Sequence, residues 1–242
     1  MAELEKGAYV LGTERAEMHR LGFQHQVWAS EARTGWEYAQ FGVGQTILDF
    51  GCGPGFCTRD LSYLVGPEGK VIGLDKSELY IDFLNKTADL YGLNIQTICS
   101  DFDDVMLPDN SLDGIYDRWA LAWIKNPEEI IDKLSKAMKP GGIIVAQEYY
   151  DWGTFQTEPQ LPGLSKGIEA ARESWESMEG NINVGRKLPT MFFEAGLEVI
   201  RTRPMTKITT AEDVTWHWPK SFFEIYLPKL IEPGFITEKE VE

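Results

Sequence analysis

The 242-residue sequence predicts an α/β protein built on a doubly wound, mostly parallel sheet, with an N-terminal helical cap and a helical insert after the fifth strand. Three observations predict it. Short β-rich runs alternate with amphipathic stretches, as βαβ units do. Several runs are continuously apolar, as strands covered on both faces are. The first run leads straight into a glycine-rich loop with a helical pattern behind it.

In chain order, residues 13–43 read as helical and aromatic-rich, with Phe23, Trp28, Trp36, Tyr38 and Phe41. They form the cap, residues 1–43, and one domain follows over 44–242. Strands are expected at Thr46–Phe50, Lys70–Asp75, Ile95–Ser100, Leu112–Asp117, Gly142–Tyr149 and Leu197–Arg203. Helices are expected at 56–65, 77–91, 127–138 and 186–195. Ser77 precedes a helix with acid in its first turn, and Asn126-Pro127 puts proline at the first helical position. Pro140-Gly141-Gly142 stops that helix. Residues 150–184 form a long insert holding Trp152, Phe155 and a helix through Trp175. Ligands bind outside the carboxyl ends of such sheets, so this insert is expected to shape a substrate pocket. After strand six, Met205–Thr210 is the only continuation. Thr237 with Glu240 is a capping box, which starts a helix. We therefore expect the natural chain to continue past Glu242 and to supply a seventh strand.

Composition narrows the function classes. Hydrophobic residues make up 43% of the chain and eight are Trp, which is ample for a packed core and excludes disorder. There are 38 acidic against 23 basic residues, a net charge of −15. Nucleic-acid affinity rests on Lys and Arg displacing counterions, so this balance argues against nucleic-acid partners. Cys52, Cys57 and Cys99 are too few and wrongly spaced for a zinc cluster or disulfide framework, so no metal site is expected. They read as small core side chains in a reducing compartment. The N-terminus shows no signal-peptide pattern, and no apolar run approaches the ~20 residues of a membrane span. A cytoplasmic protein, monomer or homodimer, is expected.

The most informative segment is Ile47-Leu48-Asp49-Phe50-Gly51-Cys52-Gly53-Pro54-Gly55, an apolar strand running into GxGxG before a helix. Such a loop presents backbone N–H groups to polar ligands. The second strand, Val71-Ile72-Gly73-Leu74-Asp75, ends in an acid that can accept hydrogen bonds from both hydroxyls of a ribose. The dinucleotide fingerprint GxGxxG places its third glycine where this chain has Phe56, a bulky ring that crowds a pyrophosphate. The loop is better matched to a nucleoside ligand without phosphates.

Residues 44 to 150 resemble a class I S-adenosylmethionine (SAM)-dependent methyltransferase. The resemblance implies the Rossmann-like methyltransferase fold, SAM as cofactor and S-adenosylhomocysteine as product. Gly51, Cys52 and Gly53 correspond to the family's first motif, and Asp75, with Lys76 beside it, to the ribose-binding acid. Ser100-Asp101-Phe102 sits where the family places its adenine-binding pair. That implies the Asp101 carboxylate near the adenine amino group and the Phe102 backbone near the ring. Leu107-Pro108-Asp109-Asn110-Ser111-Leu112-Asp113 resembles the run into the fourth strand, with Leu112 replacing the common Phe. Arg118 follows that strand, at the position whose backbone faces the methionine moiety. Leu134 to Gly142 resembles the segment before strand five, and Gly185-Arg186-Lys187-Leu188 with Glu194-Ala195-Gly196-Leu197 the run before strand six. Tyr9-Val10-Leu11-Gly12, Glu17, Arg20-Leu21 and Gln24 resemble a pattern whose N-terminal helix closes over the cofactor, which adds Tyr9 and Gln24 to the cofactor site. Below the superfamily, the chain is similar to small-molecule methyltransferases of the ubiquinone/menaquinone-biosynthesis type.

Methyl transfer from a sulfonium is an in-line displacement with a neutral leaving group, so no acid is required. A base is needed only where the nucleophile keeps its proton. His19, His25 and His217 are candidates, each with packing as the plainer role, and no catalytic residue is assigned. Tyr149 or Tyr150, at the carboxyl end of strand five, either orients a substrate hydroxyl or forms pocket wall. Asp117-Arg118-Trp119-Ala120 stands where enzymes acting on exocyclic amines carry Asn-Pro-Pro-Tyr. Trp28, Trp119, Trp123, Trp152 and Phe155 point to an apolar or aromatic small-molecule acceptor. Two other readings remain: a nicotinamide or flavin oxidoreductase, and a non-catalytic SAM-binding protein.

Overall fold

The structure, a computed structural model, describes residue 12 and residues 15–241. A long helix, α1 (Arg15–Tyr38), leads into alternating strands and helices: β1 (Thr46–Phe50), α2 (Phe56–Val65), β2 (Lys70–Asp75), α3 (Glu78–Tyr91), β3 (Ile95–Cys99) and β4 (Leu112–Arg118). Then come α4 (Pro127–Ala137), β5 (Met138–Gln147), α5 (Pro162–Ser177), α6 (Leu188–Glu194), α7 (His217–Tyr226) and α8 (Glu238–Val241). The sheet order is β3-β2-β1-β4-β5, and every neighbouring pair is parallel.

Alternation along the strands fixes the two faces. Ile47, Val71 and Tyr116 join Trp36, Cys57 and Leu61 under α1 and α2. Leu48, Phe50, Leu74 and Ile115 join Ile130, Leu134 and Met191 under α4 and α6. A third cluster lies outside the sheet, where Ala171 and Trp175 of α5 pack on Phe222 and Tyr226 of α7 and on Leu230.

The register places Phe50 beside Leu74 and Asp117. Gly51, Asp75 and Arg118 therefore leave the sheet side by side. The chain departs in opposite directions from β1 and β4, and the crevice at that point is where open α/β sheets bind ligands.

Several sequence expectations need correction. Residues 197–203 form no strand, and 198–209 make no backbone–backbone hydrogen bond among the described residues. The apolar alternation is there, but a strand forms only where an edge supplies partners, and Ile200 is instead exposed. Strand five starts earlier than expected, at Met138, kinks through Pro140-Gly141-Gly142, and ends at Gln147. A helix, α7, occupies the aromatic run from His217 that carried no element in the sequence reading. Cys99 is exposed, unlike Cys52 and Cys57, and all three thiols are free. Among the described residues no helix is long and apolar enough to cross a membrane. Thr237 does start α8, its N–H donating to Glu240 Oε2 at 3.1 Å.

Candidate functional site

The loop from Gly51 to Gly55 is shaped by what surrounds it. Gly51 has φ 68°, and a Cβ there would lie 2.3 Å from Ala120 Cβ, so no other residue fits. Gly53 has φ 54°, yet a Cβ there would meet nothing within 4 Å. Its outer side is open, as the backbone facing a ligand must be. The N-terminus of α2 has no side-chain cap. Phe56, the residue that replaces the third glycine, docks α1: its ring tip would be 3.0 Å from a Cβ at Gly22, and it stacks on His25.

Asp75 is tied to this loop. Its Oδ2 accepts from Gly53 N at 2.8 Å and its Oδ1 from Ser77 N at 2.9 Å. Burial raises its pKa, against the pull of those two N–H groups. Each carboxylate oxygen keeps a further lone pair for a hydroxyl donor. Ser100 N donates to Asp75 O, which brings the loop after β3 to the same edge. There Asp101 is exposed, its Oδ1 accepting from Asp103 N at 3.2 Å. The Phe102 ring packs 4.5 Å from that of Phe50 and faces Gly51. Lys76 is exposed beside Asp75.

A cleft of about 60 Å³ is lined by Gln24, Asp49, Gly51, Cys52, Gly53 and Arg118, among others. Gln24 is buried, and its Oε1 accepts from Arg20 Nη1 at 3.0 Å and from Trp218 Nε1 at 2.9 Å. Arg20 also forks onto Glu17, at 2.7 and 2.6 Å, in a buried network along one face of α1. So Gln24, Gly51, Cys52, Gly53 and Arg118 share one cleft, Asp75 joins it through Gly53, and Asp101, Phe102 and Lys76 stand at its edge. Tyr9 lies outside the described residues.

The sequence reading missed Asp49. It is fully buried, accepts from Thr58 Oγ1 at 2.6 Å, and is pushed up to about 7 by burial. An acid inside the apolar run Ile47 to Phe50 was the available signal. Asp117 and Glu148 form a second buried acid pair. Burial pushes Asp117 up to about 7, and burial together with the Asp117 charge pushes Glu148 far above the carboxylate range. Among the described residues, Asp117 Oδ2 and Glu148 Oε2 have no N–H or O–H donor from other groups. A proton kept on Glu148 and donated to Asp117 satisfies both.

Beyond Arg118 stands an aromatic wall. Trp119 has φ 57°, a left-handed conformation rare for a bulky residue. Its ring is stacked between Tyr149 (5.2 Å, 10°) and Trp218 (5.7 Å, 17°), with Trp28 edge-on to both indoles. Trp152 meets Tyr149 edge-on. Trp123 and Phe155 instead pack away from the wall, on Trp175 and Phe223. Trp218 had no role in the sequence reading.

The histidines divide. His25 is buried, its Nε2 3.2 Å from Asp60 Oδ2 and its Nδ1 3.5 Å from Cys57 Sγ, so both ring nitrogens are engaged. His19 and His217 line a groove of about 350 Å³ between α1 and α7 rather than the cleft at the strand ends. Tyr149 is stacked in the wall and Tyr150 is exposed under Arg186.

Comparison with known proteins matches residues 42–196 to a family described as a methyltransferase domain. The demethylmenaquinone methyltransferase of Staphylococcus aureus is 27% identical over 197 residues, 76% of this chain and 79% of that protein. The sterol 24-C-methyltransferase of Aspergillus fumigatus is 25% identical over 185 residues, 74% of this chain and 47% of that protein. The chain spans less than half the length of several curated relatives it matches. Among solved structures, a chain from the complex of the Haloferax volcanii Trm112 methyltransferase activator with a methyltransferase shares the fold. Its TM-score is 0.63 at 19% identity, with 93% of this chain and 94% of that chain covered.

Proposed function

The chain belongs to the methyltransferase-domain family of SAM-dependent enzymes, and from that premise we propose that it moves a methyl group from SAM to a small-molecule acceptor by in-line displacement. The observation that carries the reading is the Asp75 carboxylate, held 2.8 Å from Gly53 N beside the open face of the glycine loop. That is an acceptor pair for a ribose next to a backbone a nucleoside can approach. The residues fit the cofactor: no Cβ stands in its way at Gly53, and Asp75 keeps lone pairs for two hydroxyls.

When bound, SAM supplies an electrophilic methyl on a sulfonium whose departing thioether is neutral. In this reading Asp75 accepts from the ribose hydroxyls, with Lys76 beside it. Asp101 takes the adenine amino group and the Phe102 backbone faces the ring. Gly51, Cys52 and Gly53 line the approach, the Arg118 backbone faces the methionyl end, and Tyr9 and Gln24 close it from the cap of residues 1–43.

The wall of Trp28, Trp119 and Tyr149 is apolar and excludes water, and Lys207 Nζ already stands over the Trp28 ring, 4.7 Å from its centroid. The apolar edges of the wall suit an aromatic or apolar acceptor. Holding acceptor and methyl in line can lower the barrier by roughly 7–11 kcal/mol in good cases. Three free cysteines support a reducing, cytoplasmic setting.

Turnover tests the proposal. The protein with isotope-labelled SAM and pools of small aromatic and apolar metabolites is expected to give a labelled, extractable product. Label found only in protein or nucleic acid contradicts the small-molecule acceptor.

A further inference from the structure

Arg118 poses a charge problem that the cofactor contacts above leave unsolved. Arg118 is half-buried, but its Nη1 is buried without a hydrogen-bond partner, and no ion pair holds the guanidinium among the described residues. Its neighbour in contact is the Trp119 ring, with Cζ 5.6 Å from the centroid. A buried, unpaired cation is strongly unfavourable.

The groups that face it are Cys57, Tyr116, Asp49 and Tyr149. Burial pushes the Cys57 thiol up to about 12 and both phenols up as well, so three of the four are neutral at pH 7. Asp49, raised to about 7, is half-ionised there, and its Oδ2 is already bonded to Thr58. No carboxylate among the described residues bonds the guanidinium, which lines the cleft.

That charge lines the same small cleft as Gly51 and Gly53. The volume of that cleft, about 60 Å³, suits a small anionic head. The nucleoside belongs beside Asp75, whose Oδ2 accepts from Gly53 N at 2.8 Å. A planar carboxylate matches the fork of a guanidinium. Gln24, whose Oε1 is occupied, keeps its amide N–H groups for the same anion.

We propose that the Arg118 side chain is the counter-ion for the carboxylate at the methionyl end of the cofactor. This rests on the SAM reading above. It assigns the guanidinium a binding role that the backbone position at the end of β4 does not imply.

The test compares S-adenosylhomocysteine with its decarboxylated analogue, which keeps the amino group and lacks only the carboxylate, by calorimetric titration. Wild type is expected to prefer the carboxylate form. Arg118→Gln is expected to weaken S-adenosylhomocysteine about 10- to 100-fold, as loss of a charged hydrogen bond does. The analogue should change less than about threefold, so the preference collapses. Arg118→Lys keeps the charge without the fork and should fall between; it decides the matter if Arg118→Gln does not fold. An unchanged preference in either folded variant overturns the proposal, as does equal weakening of both ligands. A wild type that binds neither ligand overturns the SAM reading itself, a result distinct from any of these.

Discussion

The backbone N–H of Gly53 donates to Asp75 Oδ2 at 2.8 Å, so the loop after β1 and the end of β2 act as one unit. The two glycines before Pro54 then have different duties, and alanine substitution separates them. Gly51→Ala drives a Cβ to 2.3 Å from Ala120 Cβ and adds left-handed strain. We expect a loss of about 2–5 kcal/mol in stability. Gly53→Ala meets nothing within 4 Å and should lose about 1–2 kcal/mol from strain alone. Its methyl intrudes on the ligand face, so it should weaken cofactor binding more than it weakens the fold. Urea denaturation and calorimetric titration of both variants check the separation.

The buried acids give the stability a pH signature. Asp49 is raised from its ordinary 3.8 to about 7 by burial. Between those values the folded protein keeps a proton that the unfolded chain has released. Stability is therefore fully retained below about pH 4 and falls as pH rises towards 7. Asp117, raised to the same value, acts in the same sense. Melting temperatures from pH 5 to 8 should fall more steeply for wild type than for Asp49→Asn, which can still accept from Thr58. Parallel slopes would show that Asp49 does not titrate in this window.

The buried network on α1 should be sensitive to losing one partner and tolerant of losing both. Glu17 and Arg20 have side chains 1% and 3% exposed. Arg20→Met takes the two-bond fork away from the buried Glu17 carboxylate and is expected to destabilise by about 3–5 kcal/mol. The double variant Glu17→Gln, Arg20→Met should recover part of that loss. Chemical denaturation of the single and double variants measures the difference, and a double variant no better than the single contradicts the buried-charge account.

Much of this was legible in the sequence because it is local. The glycines after Phe50, the acid ending β2 and the Ser77 cap each follow from neighbouring residues, and the βαβ alternation placed five strands. What escaped depends on distant partners. Trp218 reaches Gln24 across most of the chain, and nothing near either residue announces it. His25 read as a base candidate until Asp60 and Cys57, both on α2, took its ring nitrogens. Residues 197–203 have strand composition but no edge to join. Asp49 was in plain view, yet its meaning depends on Thr58 and Arg118 standing around it.

The central claim is a nucleoside cofactor without phosphates, held at Gly53 and Asp75. Calorimetric titration of the protein with SAM, S-adenosylhomocysteine and NAD tests it most directly, with Asp75→Ala as the paired variant. The account predicts saturable binding of SAM and S-adenosylhomocysteine and none of NAD. It also predicts at least a roughly tenfold loss of SAM affinity in a folded Asp75→Ala protein. Binding of NAD alone, or SAM affinity unchanged by Asp75→Ala, would contradict it.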